Sequence, residues 1–399
     1  MISATTEHEA APLLRSPVAY HALLLGTFMA ASAAPTPMYR LYQEYFAISP
    51  GMVAIIFAIY VLALLITLLT VGSVSDQLGR RPVIFGSIVI EIVAMALFWV
   101  AEGPYSLMVA RVVQGVATAI AGSSIAAALS DFDRARGQTV NSITLLGGMA
   151  IGAFGTSALI QFAPEPLRLT FGLMLVFFVL EAAAIWLTPE TVVRRRIAPS
   201  SLLPRLAVPP NARRAFASVT PFHIANWMLG GFYLSLVPSV VVAATGSRAP
   251  LTGGSVVTAL LVAGTLTNYL RRNKSPLQNL KISVIPAVLG MATVILGVHL
   301  GNVPLLFIGT VLSGTGFGLN FLGCMASVVP HAKPEERAEL ISALYTLGYL
   351  SFSLPAIGAG FLVNSLGYGV VSDLYGAAVL GLNVTGMFFL RREAALKGR

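Results

Sequence analysis

The sequence predicts an all-α polytopic membrane protein, with twelve transmembrane helices in two pseudo-symmetric six-helix bundles. Three observations predict it: a shortage of charge, a series of long apolar segments, and a lopsided distribution of basic residues. Of 399 residues, 56% are hydrophobic and 10% charged, whereas a soluble globular protein averages about 25% charged. A water-facing surface of this size needs more charge than 16 acids and 25 bases supply. The mean hydropathy of +0.82 points the same way.

The apolar segments fall at 18–39, 52–72, 82–101, 105–129, 138–162, 168–187, 216–243, 251–270, 282–301, 303–327, 339–366 and 370–390. A helix of about 20 apolar residues crosses a bilayer, with some tilt where it is longer. Pro35, Pro238 and Pro355 lie inside these segments, where membrane helices tolerate proline better than soluble ones. The basic residues orient them. Twenty-one of 25 fall on one side of the predicted spans, among them Arg15, Arg80, Arg81, Arg194, Arg195, Arg196, Arg205 and Arg399. Arg40, Arg168 and Arg248 fall on the other side, and Arg111 lies inside a span. By the positive-inside rule both termini are expected in the cytoplasm, and the location is the inner membrane.

Segment 188–214 is the longest break between spans and is rich in Arg and Pro. It is expected to be a cytoplasmic linker joining bundles 1–187 and 215–399. At the N-terminus, Leu23–Pro35 resembles the apolar part of a signal peptide. Glu7 and Glu9 against Arg15 leave no net positive charge before it, so retention of this segment is expected. Cys324 is the single cysteine; it excludes an intramolecular disulfide and reads as a packed apolar residue.

The halves of the chain repeat at a spacing near 200 residues. His21, Gly26, Phe28 and Pro35 recur loosely as His223, Gly230, Phe232 and Pro238; Gly115 matches Gly314, and Gly148 matches Gly348. Duplicated halves flanking a central cavity are a plan of secondary transporters.

Two motifs carry more specific information. The turn after the second span reads Gly72-Ser-Val-Ser-Asp76-Gln-Leu-Gly79-Arg80-Arg81-Pro82. Gly79 supplies a turn conformation, and Asp76 stands within reach of the two arginines. It closely resembles the signature G-x-[LV]-x-D-R-x-G-R-[RK] of the major facilitator superfamily. Arg111-Val-Val-Gln114-Gly115 in the fourth span resembles that family's R-x-x-[QL]-G element. The resemblance implies the major facilitator fold, a gating role for Gly72, Asp76, Gly79, Arg80 and Arg81, and participation of Arg111, Gln114 and Gly115 in coupling to protons. Read from the residues alone, Arg111 either faces a cavity or snorkels to the headgroups.

Gly148, Gly152 and Gly155 in the fifth span resemble a degraded form of an element of exporting branches, with Ala153 where that element has proline. Close packing of small residues between helices reads this stretch equally well. The loop Arg271-Arg-Asn-Lys274-Ser-Pro276 lacks the Asp and Gly of its first-half counterpart, so any Asp-mediated latch is expected in one half only.

Ionisable groups inside spans are functional candidates. Glu91 and Glu181 are read either as buried acids hydrogen-bonded between helices or as proton carriers. The resemblance implies that spans three, six, nine and twelve, which include both glutamates, are scaffold. His21 and His223 are coupling candidates on spans one and seven, against a packing role. Gln114, Asn226, Trp227, Tyr233, Asn320 and Tyr345 are candidate substrate contacts, because Trp and Tyr present an apolar face with a polar tip. The same aromatic residues could instead pack helices.

These features predict proton-coupled efflux of a small amphipathic solute by alternating access. Proton-coupled uptake of a sugar or organic acid is the alternative, and a non-transporting membrane sensor a third. The substrate is expected to be neutral, amphipathic or weakly charged. No phosphate-binding loop of the G-x4-G-K-[ST] type occurs in the sequence, which removes an ATP motor of that kind. No catalytic or metal-binding spacing occurs, so neither an enzyme nor a metal or other cofactor is expected. The expected partners are the solute, protons and the lipid bilayer, with no nucleic acid, and the chain is expected to be a monomer.

Overall fold

A computed structural model describes residues 16–195, 206–247 and 249–397. Arg15, Arg196, Arg205, Arg248 and Arg399, the centre of the 188–214 segment and the acidic residues Glu7 and Glu9 lie outside the described residues. Helices dominate, and no strand occurs among the described residues. In chain order they are α1 (Pro17–Ala33), α2 (Pro35–Tyr45), α3 (Pro50–Val71), the single turn α4 (Ser75–Leu78), α5 (Arg80–Trp99), α6 (Pro104–Phe132) and α7 (Arg134–Phe162). There follow α8 (Pro166–Ala184), α9 (Arg213–Ser235), α10 (Val237–Thr245), α11 (Pro250–Arg271), α12 (Pro276–Leu300), α13 (Val303–Val328) and α14 (Arg337–Lys397).

Local chemistry sets the starts. Proline occupies the first helical position of α1, α3, α6, α8, α11 and α12, where its missing N–H would be unbonded anyway. Ser16, Ser49 and Asn302 cap α1, α3 and α13, accepting the N–H of Ala19 (3.3 Å), Met52 (3.2 Å) and Leu305 (3.0 Å). Large apolar residues stand outward on several helices, such as Val89, Val93, Ile151, Phe177, Leu180, Ile285 and Phe388. In a helix whose backbone bonds are satisfied internally, such a face suits hydrocarbon.

Ten helical segments are each long and apolar enough to cross a membrane, and α9 with α10 passes the same test as a pair bent by 63°. The last, longest segment is two helices joined at Gly367, whose φ of 76° and ψ of 166° are non-helical. Glycine takes that conformation without a Cβ clash. With the bent pair taken as one span and the last segment as two, the described residues hold up to twelve. The chain is a multi-pass membrane protein.

Two expected spans are interrupted at a proline. The first keeps helical dihedrals at Ala34 before Pro35 and runs on as one span, Pro17–Tyr45, while the seventh bends by 63° at Leu236 before Pro238. Proline removes a backbone donor and its ring crowds the carbonyl four residues earlier. The two prolines fall at equivalent places in the sequence repeat, and the packing repeats with them. A Cβ on Gly115 would meet Tyr60 O and the Ala63 Cβ of α3; one on Gly314 would meet Leu260 O and the Ala263 Cβ of α11.

Candidate functional site

A cavity of about 310 Å³ lies along the centre of the bundle. Its walls come from α1, α2, α3, α6, α7, α9, α11, α13 and the first part of α14, and none from α5, α8 or α12. Close packing seals the end remote from the Arg80 turn. There Phe57 of α3 meets Phe352 of α14 with ring centroids 5.1 Å apart, and the Leu251 N–H donates to Gln161 Oε1 at 3.2 Å. A Cβ on Gly360 would lie 2.5 Å from the Ala54 methyl. From Arg111 the lining runs toward the opposite end, through Leu64, Leu68, Ser123, Ala126, Asn141 and Phe321.

Arg111 is 1% exposed and faces this cavity from α6. Its Nη1 donates to Ser32 O at 3.2 Å and to Gln114 Oε1 at 2.7 Å, and its Nη2 donates to the Tyr39 hydroxyl. Its guanidinium carbon lies 5.1 Å from the ring centre of Tyr60 and 5.6 Å from that of Tyr39, a cation–π distance. Gln114, one turn on, donates from Nε2 to Ala31 O (3.0 Å) and to Glu91 Oε1 (3.2 Å). The amide thus joins a buried cation to a buried acid without the two touching. Glu91 Oε2 and Arg111 Nε have no hydrogen-bond partner. This geometry places Arg111 in the bundle interior, not at the headgroups.

Among the candidate substrate contacts, Asn226, Trp227, Tyr233 and Tyr345 line the cavity. Trp227 packs edge-on to Tyr349 at 4.7 Å between ring centres, with Tyr345 and Phe352 nearby. Tyr233 shares a hydrogen bond with Thr310 Oγ1 at 2.9 Å. Asn320 stands apart from the cavity: its Oδ1 accepts from Ser283 Oγ (2.5 Å) and its Nδ2 donates to Asn383 Oδ1 (3.1 Å). A polar side chain in an apolar helix must find a partner, and this one found it between helices.

His21 donates from Nδ1 to Pro17 O at 2.7 Å, and His223 from Nε2 to Leu344 O at 2.8 Å; neither lines the cavity. Glu181 accepts from Thr27 Oγ1 at 2.7 Å, joining α8 to α1, and also stands outside the lining. In α7, a Cβ on Gly148 would meet Gly26 O and one on Gly152 would meet Ala30 O, so both pack against α1, while Gly155 has open space.

The second cluster is the turn between α3 and α5. Arg80 holds the Asp76 carboxylate, donates from Nη1 to Ser75 Oγ at 2.7 Å, and donates from Nε to Asp131 Oδ2 at 3.0 Å. Arg81 donates to Thr188 O at 2.8 Å and lies over Trp186. Gly79 has φ 98°, and its missing Cβ makes room for Glu190, whose Oε2 would otherwise be 2.7 Å away. Glu190 accepts the backbone N–H of Arg80 (2.9 Å) and of Arg81 (3.0 Å). In the second half, Arg271 Nε donates to Asn279 Oδ1 at 3.1 Å instead.

Sequence reasoning did not single out Glu190, Asp131, Tyr39 or Tyr60. A signal existed for the first: two arginines begin a helix behind a glycine that has no capping side chain. Among the described residues, no group of three His, Cys, Asp or Glu could hold a metal ion.

A family model described as Major Facilitator Superfamily matches residues 19–354. No curated protein matches the sequence. Among solved structures, the chain resembles the nucleoside transporter NupG, at 13% identity and a TM-score of 0.72, covering 93% of this chain and 98% of that one. It also resembles the human organic anion transporter MFSD10 (TETRAN), at 17% identity and a TM-score of 0.68, covering 95% of this chain and 100% of that one.

Proposed function

This chain belongs to the major facilitator superfamily, and from that premise we propose that it is a proton-coupled secondary transporter of a small amphipathic solute. The two halves, 1–187 and 215–399, rock about the central cavity while segment 188–214 tethers them. Both termini and the Arg80 turn lie in the cytoplasm of a cell whose inner membrane holds the chain, so the cavity opens inward. The observation that carries this reading is the buried Arg111–Gln114–Glu91 connection at the cavity wall. It sets a titratable acid one amide away from the charge that a solute meets. Asp76, Arg80, Asp131 and Glu190 form a latch that ties the α3–α5 turn to α6 and to segment 188–214 at the inner end.

Proton entry supplies the energy. One charge crossing about 100 mV releases roughly 2.3 kcal/mol, which sustains a solute gradient near fiftyfold. Outward movement by antiport is the first assignment, from the glycine-rich α7 packed on α1. Inward movement of an organic acid with protons is the second, and the cation on the cavity wall favours it.

The test has two steps. A strain overexpressing the chain is grown against toxic compounds and on sole carbon sources, which separates export from uptake and names a solute. Proteoliposomes with an imposed pH gradient then report flux of that solute. Flux driven by the gradient is the expected result, and flux indifferent to it sinks proton coupling.

A further inference from the structure

Resting on the transport reading above, we infer that the central cavity selects a small monovalent organic anion with an aromatic or aliphatic body. Arg111 is its charge partner and Asn226 a polar contact. Four observations carry this. First, Arg111 is the one charged residue lining the cavity among the described residues. It has no ion-pair partner there: its three bonded contacts are a carbonyl, an amide oxygen and a phenol. A buried cation without a counter-charge is expensive, and a guanidinium has five N–H donors that match a carboxylate. Nε is unpartnered.

Second, Glu91 does not fill the gap. Gln114 turns its oxygen to Arg111 and its nitrogen to Glu91, so it separates the charges and has no donor left for a solute. Third, Asn226 lines the cavity with a buried Oδ1 that has no partner; as an acceptor it suits a hydroxyl or N–H donor on the solute's body, not the anionic group, which is left to Arg111. Fourth, four of the lining hydroxyls are already bonded to the protein, which leaves Thr36, three tyrosine hydroxyls and the Asn141 amide as the remaining polar lining. Ser32 donates to Met29 O, Thr118 to Gln114 O, Ser123 to Ala119 O, and Tyr233 pairs with Thr310.

These facts exclude rival ligand classes. A sugar needs donors and acceptors on every side, and most of this wall is aliphatic or aromatic, with the remaining polar groups scattered along it. A cation meets repulsion from Arg111. A dianion or phosphate ester has one cation to share. An apolar body suits the wall of Trp227, Tyr349, Phe352, Phe317 and Leu260, and the volume of about 310 Å³ is at the small end of ligand pockets.

The test uses the purified full chain in lipid nanodiscs and isothermal titration calorimetry. The probes are three matched series: benzoate, 4-phenylbutyrate and octanoate, each beside its neutral amide and its cationic amine. At least one acid should bind, more tightly than its amide by about tenfold or more, with the amine weakest. Arg111→Gln should bring acid and amide together, while Arg111→Lys keeps their order; the wild-type comparison stands even where a variant fails to fold. An amide or amine that binds as tightly as its acid, or no acid binding in any series, overturns the assignment. Flux of the bound acid in proteoliposomes separates the two readings. Acid binding without gradient-driven flux sinks coupled transport and leaves the anion site. Gradient-driven flux of a neutral solute, with no acid preference, does the reverse.

Discussion

Glu190 caps the helix that Arg80 begins: its carboxylate accepts the Arg80 N–H at 2.9 Å and also the next N–H, that of Arg81, at 3.0 Å. Gly79, the residue at the cap position, has no side chain to do this, and the acid arrives from 110 residues along the chain. Removing a cap costs about 1 kcal/mol, and the helix dipole adds to it. Glu190→Ala should therefore lower the thermal unfolding midpoint of the purified protein, and Glu190→Gln by less, because an amide oxygen still accepts. A midpoint unchanged in Glu190→Ala would show that the α5 terminus does not depend on this contact.

Asp76 tests the latch separately from stability. Its side chain is 56% exposed, and exposed ion pairs contribute about 0–1 kcal/mol. Asp76→Asn should thus insert and melt almost as the wild type while solute flux falls sharply, since Arg80 loses one of the two carboxylates that fix it. Asp131→Asn removes the other and should act in the same direction. Full flux in both variants would make the turn a structural element only.

The helices were legible because hydropathy, proline starts and capping residues agree along the chain. The site was legible where one residue type has few ways to be buried: Arg111 inside an apolar helix had to face a cavity or a headgroup. Asn320 was not, because an asparagine in a membrane helix reads alike whether it meets a solute or Ser283 and Asn383. His21 and His223 pose the same ambiguity: each ring bonds a backbone carbonyl, of Pro17 or Leu344, and stands outside the cavity lining. Tyr39 and Tyr60 escaped notice because nothing in the sequence pairs them with an arginine 72 and 51 positions away. Glu190 follows the last turn of a span, where an acid reads as a solvated residue until the fold brings it to the start of α5.

The seal remote from the Arg80 turn can be weakened at one position. A Cβ on Gly360 would lie 2.5 Å from the Ala54 methyl, so Gly360→Leu should hold α3 and α14 apart and populate the opposite-facing state. The native Cys324 is buried, which leaves little background for thiol labelling. With cysteine placed at Thr36 or Asn141, at opposite ends of the cavity lining, Gly360→Leu should raise labelling of Thr36→Cys by an impermeant maleimide. It should lower labelling of Asn141→Cys. Equal labelling in both backgrounds would mean that this contact does not govern which end is open.

Gln114 decides whether the acid and the cation communicate. Its Oε1 accepts from Arg111 at 2.7 Å, and its Nε2 donates to Glu91 at 3.2 Å. Gln114→Leu keeps the side chain's bulk and removes both contacts. A buried donor or acceptor left unsatisfied costs about 1–3 kcal/mol, so the unfolding midpoint should fall. Flux, where it survives, should lose its dependence on the pH gradient while the solute still binds, because Arg111 keeps Ser32 O and Tyr39. Gln114→Glu makes the complementary change: a carboxylate against the guanidinium satisfies Arg111 from within the protein. That variant should fold and yet bind an anionic solute more weakly than wild type. If Gln114→Leu instead retains wild-type gradient dependence, protonation of Glu91 does not reach Arg111 through this amide, and the coupling acid must be sought elsewhere, with Glu181 as the other acid buried in a span.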